Sequence, residues 1–245
     1  MPLVRFRQSG QRIPPRPIRM NVPGWGGDRQ PRADGSHEQP WHCMPFSEYA
    51  GQGIELCYPY DNPLTVRTID GRVSLESDWG PPPRDAGQWP PFRPFGDDYY
   101  SYQLSLDLEV PPGWAVRTEP HPRYFTDATC STPLAVPAVL RSEWWPMIFF
   151  AIFRAPPPGV AHVFRPGEPF MAFTAVPDDA AITLAPMPED VAAQRELRSR
   201  RLAANRDRLA EGTRWISDTN TVFDATYRNL ARAARKRARA DETGS

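Results

Sequence analysis

One lysine, four histidines, three cysteines and no apolar run longer than seven residues mark what this 245-residue chain has least of. The longest apolar run, Met147 to Phe153, falls far short of the ~20 residues that cross a bilayer, so no transmembrane helix is expected. The arginine-bearing opening MPLVRFRQSGQRIPPRPIRM is followed by no apolar core, so it does not read as a secretory signal, and a cytoplasmic location follows. Cys43, Cys57 and Cys130 are odd in number and not spaced as pairs, which points to reduced thiols serving as small core residues. His37 and His42 lie beside Cys43, but no HExxH, CxxC or comparable spacing is present, so no metal is assigned and no cofactor named. GxSxG, GxxxxGK[ST] and GxGxxG are also missing, which removes the local signatures of serine hydrolases and phosphate loops.

Proline is abundant instead. Its 31 residues are well above average usage, yet 40% of the chain is apolar, so proline punctuates a folded protein of short strands and rigid turns. Alternation of apolar and polar residues from Tyr100 to Val110 predicts a long strand with Tyr100, Tyr102, Leu104, Leu106, Leu108 and Val110 on the buried face. Leu64 to Leu75 reads as a hairpin around Asp70-Gly71, because that pair tolerates the positive φ of a tight turn. Ile54 to Tyr58, Trp114 to Thr118 and three segments between Pro137 and Pro177 add strands, with a last short one expected at Ala181 to Leu184. The proline-rich run Gly80 to Phe95 is expected to be loop. The predicted fold is mainly β, a distorted barrel, clip or two-sheet roll, wrapped by a Pro-rich N-terminal segment and followed by helices. Its divisions are an N-terminal segment over 1–40, onto which Trp25 is expected to dock, a β-domain over 41–187 and a helical basic tail over 188–245.

Charge is balanced overall but unevenly placed. Residues 1–188 carry 16 Arg and 20 acidic residues, while 189–239 carry 13 basic and 7 acidic ones. In that tail a helix is expected from Glu189 to Gly212 and a second from near Asp218, with Trp215, Thr219, Val222, Phe223, Thr226 and Leu230 as its apolar stripe. The basic end, ARAARKRARA from Ala231 to Ala240, suits an acidic partner or nucleic acid. Five charges at a chain end are more often a solvated helix terminus, so nucleic acid ranks last among the partners.

Chemistry is concentrated where VLRSEWW brings Arg141, Glu143, Trp144 and Trp145 to the expected entrance of a buried strand. A guanidinium, a carboxylate and two aromatic faces suit a planar polar ligand. The competing reading makes Arg141 and Glu143 an ordinary exposed pair and puts the tryptophans in the core. His121, rigid between two prolines and near Asp127, is a candidate base oriented by a carboxylate. The candidate ligand-binding set is therefore His121, Asp127, Arg141, Glu143, Trp144 and Glu168. Three functions remain open: a small-molecule-binding or accessory protein that forms homo-oligomers; an enzyme using His121, Asp127 and Glu143; and a protein that binds partners through its tail.

CMPFSEYAGQGIELCYP at Cys43 to Pro59, PPGW at Pro111 to Trp114, VLRSEWWP at Val139 to Pro146 and FRPGEPFMAF at Phe164 to Phe173 together resemble an uncharacterised bacterial family described only as a domain of unknown function. VLRSEWW followed by RPGEPFMAFTAVP is more distantly similar to the third and fourth motifs of the trimeric dUTPases and dCTP deaminases. Arg141 stands where those enzymes have a catalytic aspartate, and their Ser-rich phosphate motif and Gly-rich C-terminal arm have no counterpart here. The resemblance thus implies a β-scaffold with a pocket by the hairpin and not nucleotide hydrolysis.

Overall fold

The computed structural model describes residues 2–8, 13–19, 43–77, 91–104, 106–126, 130–145, 149–179, 181–210, 214–216 and 222–243. The expectations for Trp25, His37, His42 and Asp127 lie outside them. The protein is mainly β: among the described residues 37% are in strands against 26% in helices, in several antiparallel sheets that do not close into a barrel. Its chain divides into two compact units, Met1–Gly26 with Tyr49–Ala180, and Gly27–Glu48 with Ala181–Ser245.

The first unit holds thirteen described strands: β1 (Arg5–Gln8), β2 (Arg16–Pro17), β3 (Ile54–Cys57), β4 (Leu64–Ile69), β5 (Arg72–Glu76), β6 (Phe92–Phe95), β7 (Tyr99–Leu104), β8 (Leu106–Glu109), β9 (Trp114–Pro120), β10 (Ala138–Leu140), β11 (Phe149–Arg154), β12 (Ala161–Phe164) and β13 (Pro169–Pro177). They pair in the orders β10-β9-β13-β3-β2, β11-β7-β6, β12-β4-β5 and β1-β8.

The hairpin at Asp70-Gly71 forms as expected, with Ile69 opposite Arg72 and positive φ at both turn residues (50° and 74°). All six apolar residues predicted to be buried from Tyr100 to Val110 are buried, but the expected single strand is two, β7 and β8, in different sheets, with Val110 just past β8. The opposite face departs from expectation, because Ser101 of β7, the central strand between β6 and β11, is buried too. Phe92 to Phe95 is a strand, not loop. It lies at a sheet edge, where Pro94 needs to give no hydrogen bond to a further neighbour.

The N-terminal segment supplies strands as well as loop. In β1, Arg5 and Arg7 lie opposite Glu109 and Asp107 of β8 and form ion pairs of 3.2 and 2.8 Å with them, so these arginines complement the polar side of an amphipathic strand. The core is aromatic. Phe164 on β12 meets the rings of Tyr58, Phe92, Tyr100, Phe153 and Phe170 at centroid separations of 5.1 to 6.3 Å, mostly edge-on or tilted. Polar tips within it are satisfied: the Tyr100 hydroxyl lies 2.9 Å from His162 Nδ1, and the Tyr124 hydroxyl donates to the Pro169 carbonyl at 3.1 Å. Of the three cysteines, which are free thiols, only Cys57 is a core residue; Cys43 and Cys130 are exposed.

Helix α1 (Met44–Ala50) spans the division between the units, with Tyr49 and Ala50 in the first. The second unit contains α2 (Glu189–Ala204), α3 (Arg206–Leu209), the strands β14 (Arg214–Ile216) and β15 (Val222–Asp224), and α4 (Thr226–Thr243). Ala181 to Leu184 is not a strand; Ile182 and Leu184 are 82% and 91% exposed. The tail differs from its reading at a second place. Trp215 and Phe223 are register partners in a β14-β15 pair instead of members of one helix, as their aromatic and β-branched neighbours favour. α4 begins only at Thr226, whose N–H donates to Asp224 Oδ1 at 2.9 Å. Among the described residues no helix is long and apolar enough to cross a membrane.

Candidate functional site

Two groups of charged and aromatic residues occupy opposite ends of β9. Strand β10 pairs with β9 so that Leu140 lies opposite Val116, which brings Arg141 to the Trp114 end, whereas His121 follows Pro120 at the other. At ~3.4 Å per residue the two ends stand about 20 Å apart along the strand.

The buried group is built on β3. Glu55 and Cys57 share one face of that strand, both with no exposure. Glu55 is held by three partners. Arg16, its register partner on β2, donates from Nε to Oε1 at 2.6 Å; the Arg19 N–H lies 3.3 Å from Oε2; and His121 Nε2 lies 3.2 Å from the same oxygen. Burial pushes the Glu55 carboxyl upward, but the hydrogen bonds from His121, Arg16 and Arg19 outweigh it, so its pKa lies below the usual carboxylate value.

His121 is fully buried, and burial lowers its pKa against the opposing pull of Glu55. Its tautomer follows from its neighbours. The Arg123 N–H donates to Nδ1 at 3.2 Å, so Nδ1 is the acceptor and Nε2 carries the proton that goes to Glu55. Both ring nitrogens are thus committed.

Arg123 continues the group outward. Its Nη2 lies 3.3 Å from Glu168 Oε2, and its guanidinium lies over the Tyr124 ring at 5.2 Å. Glu168 is positioned by backbone, because the Arg165–Glu168 turn docks on Tyr58: the Gly167 N–H donates to the Tyr58 carbonyl and the Tyr58 N–H to the Glu168 carbonyl, both at 2.9 Å. Gly167 takes φ of 75° there, open to glycine at no steric cost. Burial raises the Cys57 thiol to about 11, with Arg16 acting in the opposite sense, so Cys57 stays protonated at neutral pH and is a poor nucleophile. Beside this group the Tyr49 hydroxyl donates to Glu119, which Arg117 also holds.

The second group stands in solvent. Residues 142–144 form a turn after β10, closed by the Trp145 N–H donating to the Arg141 carbonyl at 3.1 Å. This is not the mouth of a buried strand. Trp144 is 67% and Trp145 47% exposed, so neither fills the core, and their rings meet edge to face at 6.4 Å and 83°. Glu143 is exposed, and it is Asp178 at the end of β13, not Glu143, that pairs with Arg141.

Of the predicted site residues, His121 and Glu168 are joined through Arg123, while Arg141, Glu143 and Trp144 share the distant turn. Arg16, Glu55 and Arg123 were missed from sequence. A signal existed for Glu55, a lone acid inside the apolar run IELCY. No protein-family model, curated protein or solved structure matches the chain.

Proposed function

We propose that the protein is a ligand-binding or accessory protein whose recognition surface is the Arg141–Trp145 turn. One observation carries this reading: two adjacent tryptophans are held out of the core at right angles on a turn anchored by Arg141 and Asp178. Indole faces left in water are costly unless they are used, and exposed aromatic patches of this kind mark binding surfaces. Because Asp178 answers the Arg141 charge, Glu143 is the polar group left to choose a partner. A planar ligand with N–H donors or positive charge fits, stacking on Trp144 and donating to Glu143.

The reading is consistent with a dUTPase-like β-scaffold that recognises a ligand beside its hairpin without hydrolysing a nucleotide. It assigns no acid–base role to His121, whose ring nitrogens are both occupied. A thermal-shift screen against a library of planar cationic and amide-bearing metabolites tests it, with hits repeated on Glu143→Ala and Trp144→Ala. Loss of the shift in both variants supports the turn; a hit that both variants retain moves the site elsewhere.

A further inference from the structure

The second unit holds a groove of about 360 Å³ whose walls are Met44 of α1 and Arg228, Arg232, Arg235, Lys236 and Arg239 of α4. We infer that this groove binds the phosphate backbone of a nucleic acid, a partner that the sequence alone ranked last.

The argument begins with helix geometry. At 100° per residue the five cations fall within about 100° of arc, and from Arg228 to Arg239 they extend ~16 Å along the axis. Arg237 points the opposite way and is not part of the groove. Over ~16 Å one strand of a duplex carries about five phosphates, so charge density matches along the stripe. Four of the five cations are arginine, whose planar fork binds phosphate through paired hydrogen bonds.

The groove has a fixed second wall. Glu48, one turn after Met44 on α1, pairs with Arg235 and lies 3.4 Å from the Tyr227 hydroxyl, which pins α1 to α4. That pair offsets one of the positive charges that line the groove. Met44 is its apolar wall, a soft surface for a sugar or base edge.

The rest of α4 discriminates between polyanions. A helix that lies on anionic lipid needs bulky apolar residues opposite its basic face, and there α4 offers chiefly Ala233, Ala234 and Ala238 with Leu230 and Tyr227, interrupted by the charged Arg237. A uniform polyanion along the stripe therefore fits better than a membrane surface.

Fluorescence anisotropy on the full chain, with a labelled oligonucleotide of about 20 nucleotides at roughly 50 mM salt, provides the test. Single-stranded, duplex and RNA forms are compared. Affinity should fall with salt at a log–log slope of about −3 to −4, shallower by about one for each cation removed. Arg228→Gln with Arg232→Gln and Arg239→Gln should weaken binding at least about ten-fold, while Arg237→Gln should leave it within about two-fold. Should the triple variant lose helicity by circular dichroism, the single Arg232→Gln and Arg239→Gln variants decide through their salt slopes. The inference is overturned by absent binding, by an Arg237→Gln effect equal to that of a groove residue, or by unchanged slopes. It is equally overturned if poly-glutamate or anionic vesicles displace the oligonucleotide at lower charge concentration than unlabelled DNA does, which would identify an acidic peptide or a membrane as the partner.

Discussion

At one end of β9, Glu55 and His121 are buried and answer Arg16 and Arg123; at the other, Arg141, Glu143, Trp144 and Trp145 face water. Residue types hardly differ between the two groups, but their burial does. In the first, both Glu55 oxygens and both His121 ring nitrogens are engaged by partners, which suits a device that holds β2, β3 and the segment after β9 in register. In the second, Arg141 alone is tied down, and the aromatic faces and Glu143 remain available to a partner. Clustered charge near an aromatic residue is thus no guide to activity until its exposure is known.

Removal of Glu55 should break that contrast most severely. Glu55→Ala leaves Arg16 without its carboxylate and His121 without its acceptor inside the core, at a cost of about 3–5 kcal/mol by chemical denaturation. If Glu55→Ala unfolds at the wild-type denaturant midpoint, the group is not structural. Gly53→Ala should come next. Gly53 has φ of 94°, its carbonyl accepts the Ile18 N–H beside β2, and an added Cβ would collide with the Phe173 backbone oxygen. About 1–3 kcal/mol should be lost, read as a lower midpoint at unchanged m-value.

Acid should separate the two ends further. His121 and Glu55 both lie below their usual values of 6.5 and 4.5, so the unfolded chain binds more protons than the folded one as pH drops through those values. Their stabilising contribution is complete above about pH 6.5 and is lost progressively below it, first through His121 and then through Glu55. Denaturant midpoints measured across this range should fall with acid, and His121→Gln should flatten the upper part of that fall. A midpoint independent of pH would count against a buried, neutral His121. The smallest expected effect on stability belongs to the exposed turn: Glu143→Ala and Trp144→Ala should leave the melting temperature within roughly 2 °C while removing ligand response. Substantial unfolding by either variant would place the turn in the structural class and erase the contrast.

Local pattern determined much of this protein. The period of two from Tyr100 to Val110 selects a buried face without reference to any neighbour, and Asp70-Gly71 selects its own turn, because steric preference acts within a few residues. The start of α2 was legible for the same reason, through Glu189 and Asp190, but the single helix expected to reach Gly212 breaks at Asn205 into α2 and α3. What needed the tertiary structure was every outcome decided by a distant partner. Phe92–Phe95 becomes a strand only because β7 offers a ladder to a proline-bearing edge, and Ser101 is buried on the face that alternation leaves to water. Trp215 and Phe223 suit a helical stripe and a cross-strand pair alike, so periodicity could not choose between them. Arg16 meets Glu55 across 39 residues and His121 meets it across 66, a convergence set by the β2-β3 register and the β9-β13-β3 order. Burial is a property of the assembled sheets, so the sequence could name its charged and aromatic residues but not decide which of them would be enclosed and which left to meet a partner.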